Sequence, residues 1–91
     1  MANYEKKYVV KMPEKMRNQA FAKEIMDCSS ELKYPVYIEK NGRTARASSL
    51  IGVLSLGIMD EEEVTVSCFA DNDNEAKNFF DKIGKILNCQ L

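Results

Sequence analysis

There is no histidine anywhere in this chain of 91 residues. That absence removes the commonest general base near neutral pH, the commonest transition-metal ligand and any phosphoimidazole intermediate. It also leaves a serine or cysteine nucleophile without its usual activating partner. No apolar run approaches the roughly 18 residues that read as a membrane span, so no membrane association is expected. The opening MANYEKKYVV has no apolar signal segment, which predicts a cytoplasmic protein rather than a secreted one. Cys28, Cys68 and Cys89 are odd in number and widely spaced, with no CxxC and no zinc pattern. They are expected to be reduced and to serve as small apolar residues, with no metal and no cofactor. Cys89 stands one place short of a prenylation signal. The net charge of -1 gives no electrostatic reason to expect nucleic acid. The local basic group Lys6, Lys7, Lys11, Lys15 and Arg17 reads as a solvated face.

The residues that are present describe one globular domain, 1–91. Hydrophobic residues make up 45% and charged residues 30%, which separates the chain from disordered sequences. A core of this size needs almost every apolar stripe for packing. Tyr4 to Lys11 alternates loosely around Tyr8, Val9 and Val10 and predicts a first strand. Pro13 to Gln19 is polar; it reads as a loop through Arg17 with Asn18 as an N-cap, the alternative being a longer helix with Pro13 in its first turn. Ala22, Ile25, Met26, Ser29 and Leu32 then follow helical spacing.

Tyr34 to Glu39 alternates as a second strand, and Asn41-Gly42 supplies the positive φ angles of a type I′ hairpin turn. A short third strand, about Arg43 to Ala47, follows. Ser48-Ser49 offers an N-cap to a brief helix, Leu50 to Leu56, which Gly57 is placed to end in the left-handed conformation. Asp60 to Glu63 make an acidic turn. Val64 to Ala70 alternates as the fourth strand. Asn72 and Glu75 have capping-box spacing before the last helix, where Ala76, Phe79, Phe80, Ile83, Ile86 and Leu87 form one apolar face. The order β-α-β-β-α-β-α predicts an α+β open-faced sandwich: a four-stranded, mainly antiparallel sheet with three helices on one face.

The run NGRTARASSLIGVLSLGI, Asn41 to Ile58, resembles the core of HPr, the small phosphocarrier family of the bacterial phosphoenolpyruvate sugar phosphotransferase system. The Asn-Gly turn, the serine opening a short helix and the Ser-Leu-Gly-Ile ending are shared. The DNDNEA approach to the last helix fits as well. The resemblance extends over nearly the whole chain, Tyr4 to Leu87.

The family's active site lies at the start of the first helix, in a Gly-Ile/Leu-His-x-Arg-Pro-Ala pattern. The matching stretch here is Lys15 to Ala22, KMRNQAFA. The histidine position falls on Asn18 if the helical stripe is aligned, or on Arg17 if Met16 takes the apolar place. Neither alignment supplies a histidine, and the arginine-proline pair is gone. Asn and Arg side chains offer no free neutral nitrogen lone pair to accept phosphate. A helix N-terminus attracts anions, and Arg17 could assist binding without transfer. The plainer reading has Asn18 only capping and Arg17 only solvated.

In Gram-positive members a serine at the start of the short helix is phosphorylated by a dedicated HPr kinase. The matching residue is Ser49. The resemblance implies a docking patch of Leu50, Ile51 and Leu54 for the kinase, the phosphotransferase enzymes or a transcriptional regulator. The expected function is therefore a non-enzymatic, histidine-free HPr-like docking module switched at Ser49. Two other functions compete with it. One is a phosphocarrier with a different acceptor; Cys28 is the nearest cysteine, but it lies about 15 Å along the helix from the active-site position, at about 1.5 Å per residue. The other is an assembly domain that forms a homodimer through the apolar patch.

Overall fold

The structure is a computed structural model and describes residues 2–11, 19–59 and 61–88. Its elements are β1 (Ala2–Val9), α1 (Gln19–Ser29), β2 (Val36–Lys40), β3 (Arg43–Arg46), α2 (Leu50–Ser55), β4 (Glu63–Ala70) and α3 (Asp73–Asn88). The order is the β-α-β-β-α-β-α that the periodicities predict. The sheet runs β1-β4-β2-β3, and all three pairings are antiparallel.

The turn chemistry sets the local geometry. Asn41 and Gly42 both have positive φ, 51° and 81°, and join β2 to β3 as an Asn-Gly turn should. Gly57 takes φ 62° just beyond α2. At α3 the Glu75 N–H donates to Asn72 Oδ1 at 2.9 Å. The reciprocal bond departs from the standard box: Glu75 Oε1 accepts from the Asp71 N–H, at 3.4 Å.

Several boundaries move from the sequence expectation, each for a visible reason. β1 starts at Ala2 because its pairing with β4 runs the whole way to Ala70. It ends at Val9, and the Lys11 N–H turns away to the Leu87 carbonyl of α3 at 3.1 Å. α1 begins at Gln19, where a helix that follows an N-cap at position 18 is expected to start. The rest of the stretch from Pro13, with the Asn18 cap, lies outside the described residues. β2 starts at Val36, not Tyr34, whose hydroxyl instead donates to Asp71 at 2.8 Å. β3 stops at Arg46; the Ala47 N–H still donates to the Val36 carbonyl at 2.8 Å. α2 ends at Ser55 with Leu56 as its cap, and β4 gains Glu63.

One face of the sheet is covered and the other is open. Along β4, Val64, Val66, Cys68 and Ala70 are buried, while Thr65, Ser67 and Phe69 are only half-buried. Tyr8, Val36 and Ile38 join the inner set. α3 packs on β1 and β4, α1 packs on α3 and α2, and α2 packs on β3. Ala22, Ile25, Val53, Leu56, Ala76, Phe79, Phe80, Ile83 and Leu87 close the core from the helical side. The closest approach is at Gly84. Tyr8 lies beneath it, with its hydroxyl donating to the Phe80 carbonyl at 2.9 Å. A Cβ on residue 84 would stand 2.9 Å from Tyr8 Cε1.

Candidate functional site

The two positions that align with the family's histidine, Arg17 and Asn18, lie outside the described residues. The helix they precede starts at Gln19. The second candidate region, Ser49 and the short helix behind it, is described in full.

Ser49 stands between β3 and α2 with extended backbone angles, φ -104° and ψ 110°. Its N–H donates to the Arg46 carbonyl at 2.9 Å, and its own carbonyl accepts from the Val53 N–H at 2.9 Å. Its hydroxyl oxygen accepts from the Gly52 N–H at 3.0 Å, which is the N-cap bond expected of serine. The side chain remains exposed. Gly52 has a spatial reason to lack a side chain: a Cβ there would lie 3.0 Å from Ser49 Oγ and 3.1 Å from Ser49 Cβ.

The helix behind Ser49 has two faces. Val53 and Leu56 are buried inward. Ile51 points outward and is 80% exposed. Leu50 and Leu54 are half-buried against the core, so they serve packing and surface together. Sequence reasoning missed Met59, a large apolar side chain 50% exposed in the loop after α2. It sits next to the acidic run, where no periodicity marks it.

The clamp that fixes this loop was also missed. Lys40 Nζ donates to the Gly57 carbonyl at 2.7 Å and pairs with Glu62 Oε1 at 2.8 Å. The same Glu62 oxygen accepts from the Met59 N–H at 2.7 Å. Lys40 is largely buried, at 14% side-chain exposure, so its charge needs these partners. The partners are distant in sequence and come together only when the end of β2 meets the α2–β4 loop.

The hydrogen bond from Lys40, then that from Met59, lowers the Glu62 carboxyl below its ordinary value of 4.5. A depressed carboxylate contributes stability above its unfolded pKa and loses it as pH falls through the folded value. Stability is therefore expected to decline as pH drops below about 4.5, and Glu62→Gln should flatten part of that decline. Urea midpoints across acidic pH check this; parallel curves for the two proteins would contradict it. At the alkaline end, burial pushes the Tyr8 hydroxyl up to about 12.

The cysteines do not resemble nucleophiles. Cys28 and Cys68 are free and buried. Burial pushes the Cys28 thiol up to about 11, with Glu31 adding to the shift and Lys82 opposing it. A reactive thiol needs the opposite shift and an exposed setting. Cys89 lies outside the described residues. Among the described residues no group of three or more acidic or cysteine side chains could hold a metal. No helix among them is long and apolar enough to cross a membrane.

A family model for the phosphorylation site of the HPr component of the phosphotransferase system matches residues 4–88. The chain belongs to the HPr family. Solved structures agree on the fold. The HPr phosphocarrier protein of Bacillus anthracis superposes with a TM-score of 0.81 at 19% identity, covering 97% of this chain and 100% of that one. A histidine-containing phosphocarrier protein of Mycoplasma gives 0.77 at 14% identity, covering 93% and 98%. Crh, the catabolite repression HPr of Bacillus subtilis, gives 0.57 at 20% identity, covering 97% and 100%. HPr proteins are phosphocarriers, not enzymes, and they act by meeting the other proteins of the phosphotransferase system. In this HPr-family chain Ser49 occupies the start of the short helix, and the molecule has no histidine.

Proposed function

We propose that this HPr-family chain does not carry phosphoryl groups and works as a docking module switched at Ser49. One observation carries the first half: no residue of the 91 is histidine. A transferable phosphoryl group needs an acceptor with a free lone pair whose phosphorylated form is labile. Arg17 is permanently protonated, and the Asn18 amide nitrogen has its lone pair delocalised. Cys28 is buried and its thiol is held protonated. The carrier with a different acceptor therefore finds no support among the described thiols.

The second half is supported by the setting of Ser49. Its hydroxyl is exposed, it begins α2, and the outward face of that helix presents Ile51. A phosphate there would add about two negative charges beside an apolar contact residue. Charge placed in an apolar interface costs desolvation, while charge facing an arginine gains hydrogen bonds, so one modification exchanges one class of partner for another. The partners are proteins of the cytoplasm: an HPr kinase, phosphotransferase enzymes or a transcriptional regulator. Direct contact with nucleic acid or a membrane is not part of this function.

The test is incubation with an HPr kinase and ATP, followed by intact mass measurement and peptide mapping. The expected result is one added phosphoryl group per chain, located on Ser49 and absent from Ser49→Ala. That variant loses a cap worth about 1 kcal/mol and should still fold. An unchanged mass after incubation with active kinase would remove Ser49 as the switch.

A further inference from the structure

The end of α1, the turn into β2 and the segment between β3 and α2 border an open cavity of about 260 Å3. Its charge sets it apart from the neighbouring concavities. The groove between α1 and α3 is lined by three carboxylates, Glu31, Asp71 and Glu75, against two lysines, Lys33 and Lys82. The hollow on the open face of the sheet is lined by Glu5, Glu39, Glu62 and Glu63 against one lysine, Lys7. The cavity beside Ser48 has no carboxylate in its lining and has two cations, Lys33 and Arg46. In a chain of net charge -1 this is a local reversal of sign.

Neither cation is tightly paired. Arg46 has no salt bridge among the described residues. Lys33 approaches Asp71 only to 3.6 Å and is 73% exposed, so it can turn toward a stronger anion. Ser48, exposed, adds a hydroxyl. The backbone around these groups is fixed. The Arg46 carbonyl accepts from Ser49, and Ala47 donates to Val36. The rest of the wall is Leu32, Tyr34, Pro35 and Val36, together with Ser29 and Ser30, whose hydroxyls donate to the Ile25 and Asp27 carbonyls of α1.

We propose that this cavity binds a small phosphate monoester, with the phosphate met by Arg46, Ser48 and Lys33 and the carbon body lying against Pro35, Leu32 and the Tyr34 ring. The guanidinium fork matches phosphate oxygens, and a lysine adds a mobile point charge. The volume is below the roughly 300–1,000 Å3 of drug-sized sites and matches an ester with a body of about three carbons. The site is separate from modification at Ser49, so either can fail while the other stands.

Titration of the 15N-labelled full chain with glycerol 3-phosphate, inorganic phosphate and glycerol, followed by amide chemical shifts, tests this. The expected result is saturable shifts confined to residues 30–36 and 46–49 with the ester, weaker binding of inorganic phosphate, and none with glycerol. Arg46→Gln should raise the dissociation constant about tenfold or more, the usual worth of a charge-assisted hydrogen bond. Ser48→Ala should raise it less, and both exposed substitutions should leave the rest of the spectrum unchanged. Shifts that never saturate, that spread over the surface lysines, or that survive Arg46→Gln would overturn the site. Equal affinity for phosphate and ester would overturn its assignment to an ester.

Discussion

Replacing Ile83 with alanine is expected to lower the free energy of unfolding by about 3 kcal/mol. Ile83 has no exposed surface and lies mid-way along α3. That helix packs on β1, β4 and α1, so the lost atoms leave a cavity walled by three elements. The cost joins the lost transfer energy of the side chain to the loss of contacts across a space that only partly collapses. Domains have roughly 0.05–0.15 kcal/mol of stability per residue, so the loss is a large share of the whole. The melting midpoint should fall by roughly 12–24 °C, at about 4–8 °C per kcal/mol for a domain of this size. Ile86→Ala, at a half-buried position of the same helix, should cost about 1 kcal/mol, the centre of the distribution for single substitutions. Urea unfolding of both variants, with the slope checked for constancy, measures the contrast; equal losses would contradict the seating of α3.

Replacing Gly84 with alanine is expected to destabilise the protein, against the helix propensity of the two residues. In an exposed helix interior, Gly to Ala gains about 1 kcal/mol. Here the new Cβ would lie 2.9 Å from Tyr8 Cε1. The ring cannot step aside freely, because it is buried and its hydroxyl is anchored on the Phe80 carbonyl. Overpacking of this kind costs about 1–3 kcal/mol, occasionally more. The net result should be a loss of about 1 kcal/mol. The decisive control is the same change in a Tyr8→Leu background, where the obstructing ring edge is gone. There Gly84→Ala should stabilise, and the double-mutant cycle should show strong coupling between the two sites. The same sign in both backgrounds would contradict the close approach of α3 to β1.

The fold was legible because each element carries a local signal that agrees with the whole. Asn41-Gly42 declares a hairpin, the alternation of Val64, Val66, Cys68 and Ala70 declares a one-sided strand, and the Phe79 to Leu87 face declares a helix. What moved were ends, decided by distant partners: Lys11 turns to Leu87, and Tyr34 leaves the second strand for Asp71. The candidate site divides in the same way. Ser49 as a cap and the two-faced α2 follow from local sequence. The Lys40–Glu62 clamp and the exposure of Met59 do not, because chain reversals bring them about. The charge reversal beside Ser48 is equally hidden, since Lys33 and Arg46, thirteen positions apart in sequence, come to line one cavity only in the folded chain.

Phosphoryl acceptance itself is the most direct measurement. The purified chain would be incubated with labelled phosphoenolpyruvate and the first enzyme of the phosphotransferase system, beside a histidine-containing HPr as the positive control. The control should take up label and pass it on while this chain stays unlabelled. Label bound to this chain and then moving to a sugar-specific enzyme would contradict its role as a docking module that carries no phosphate.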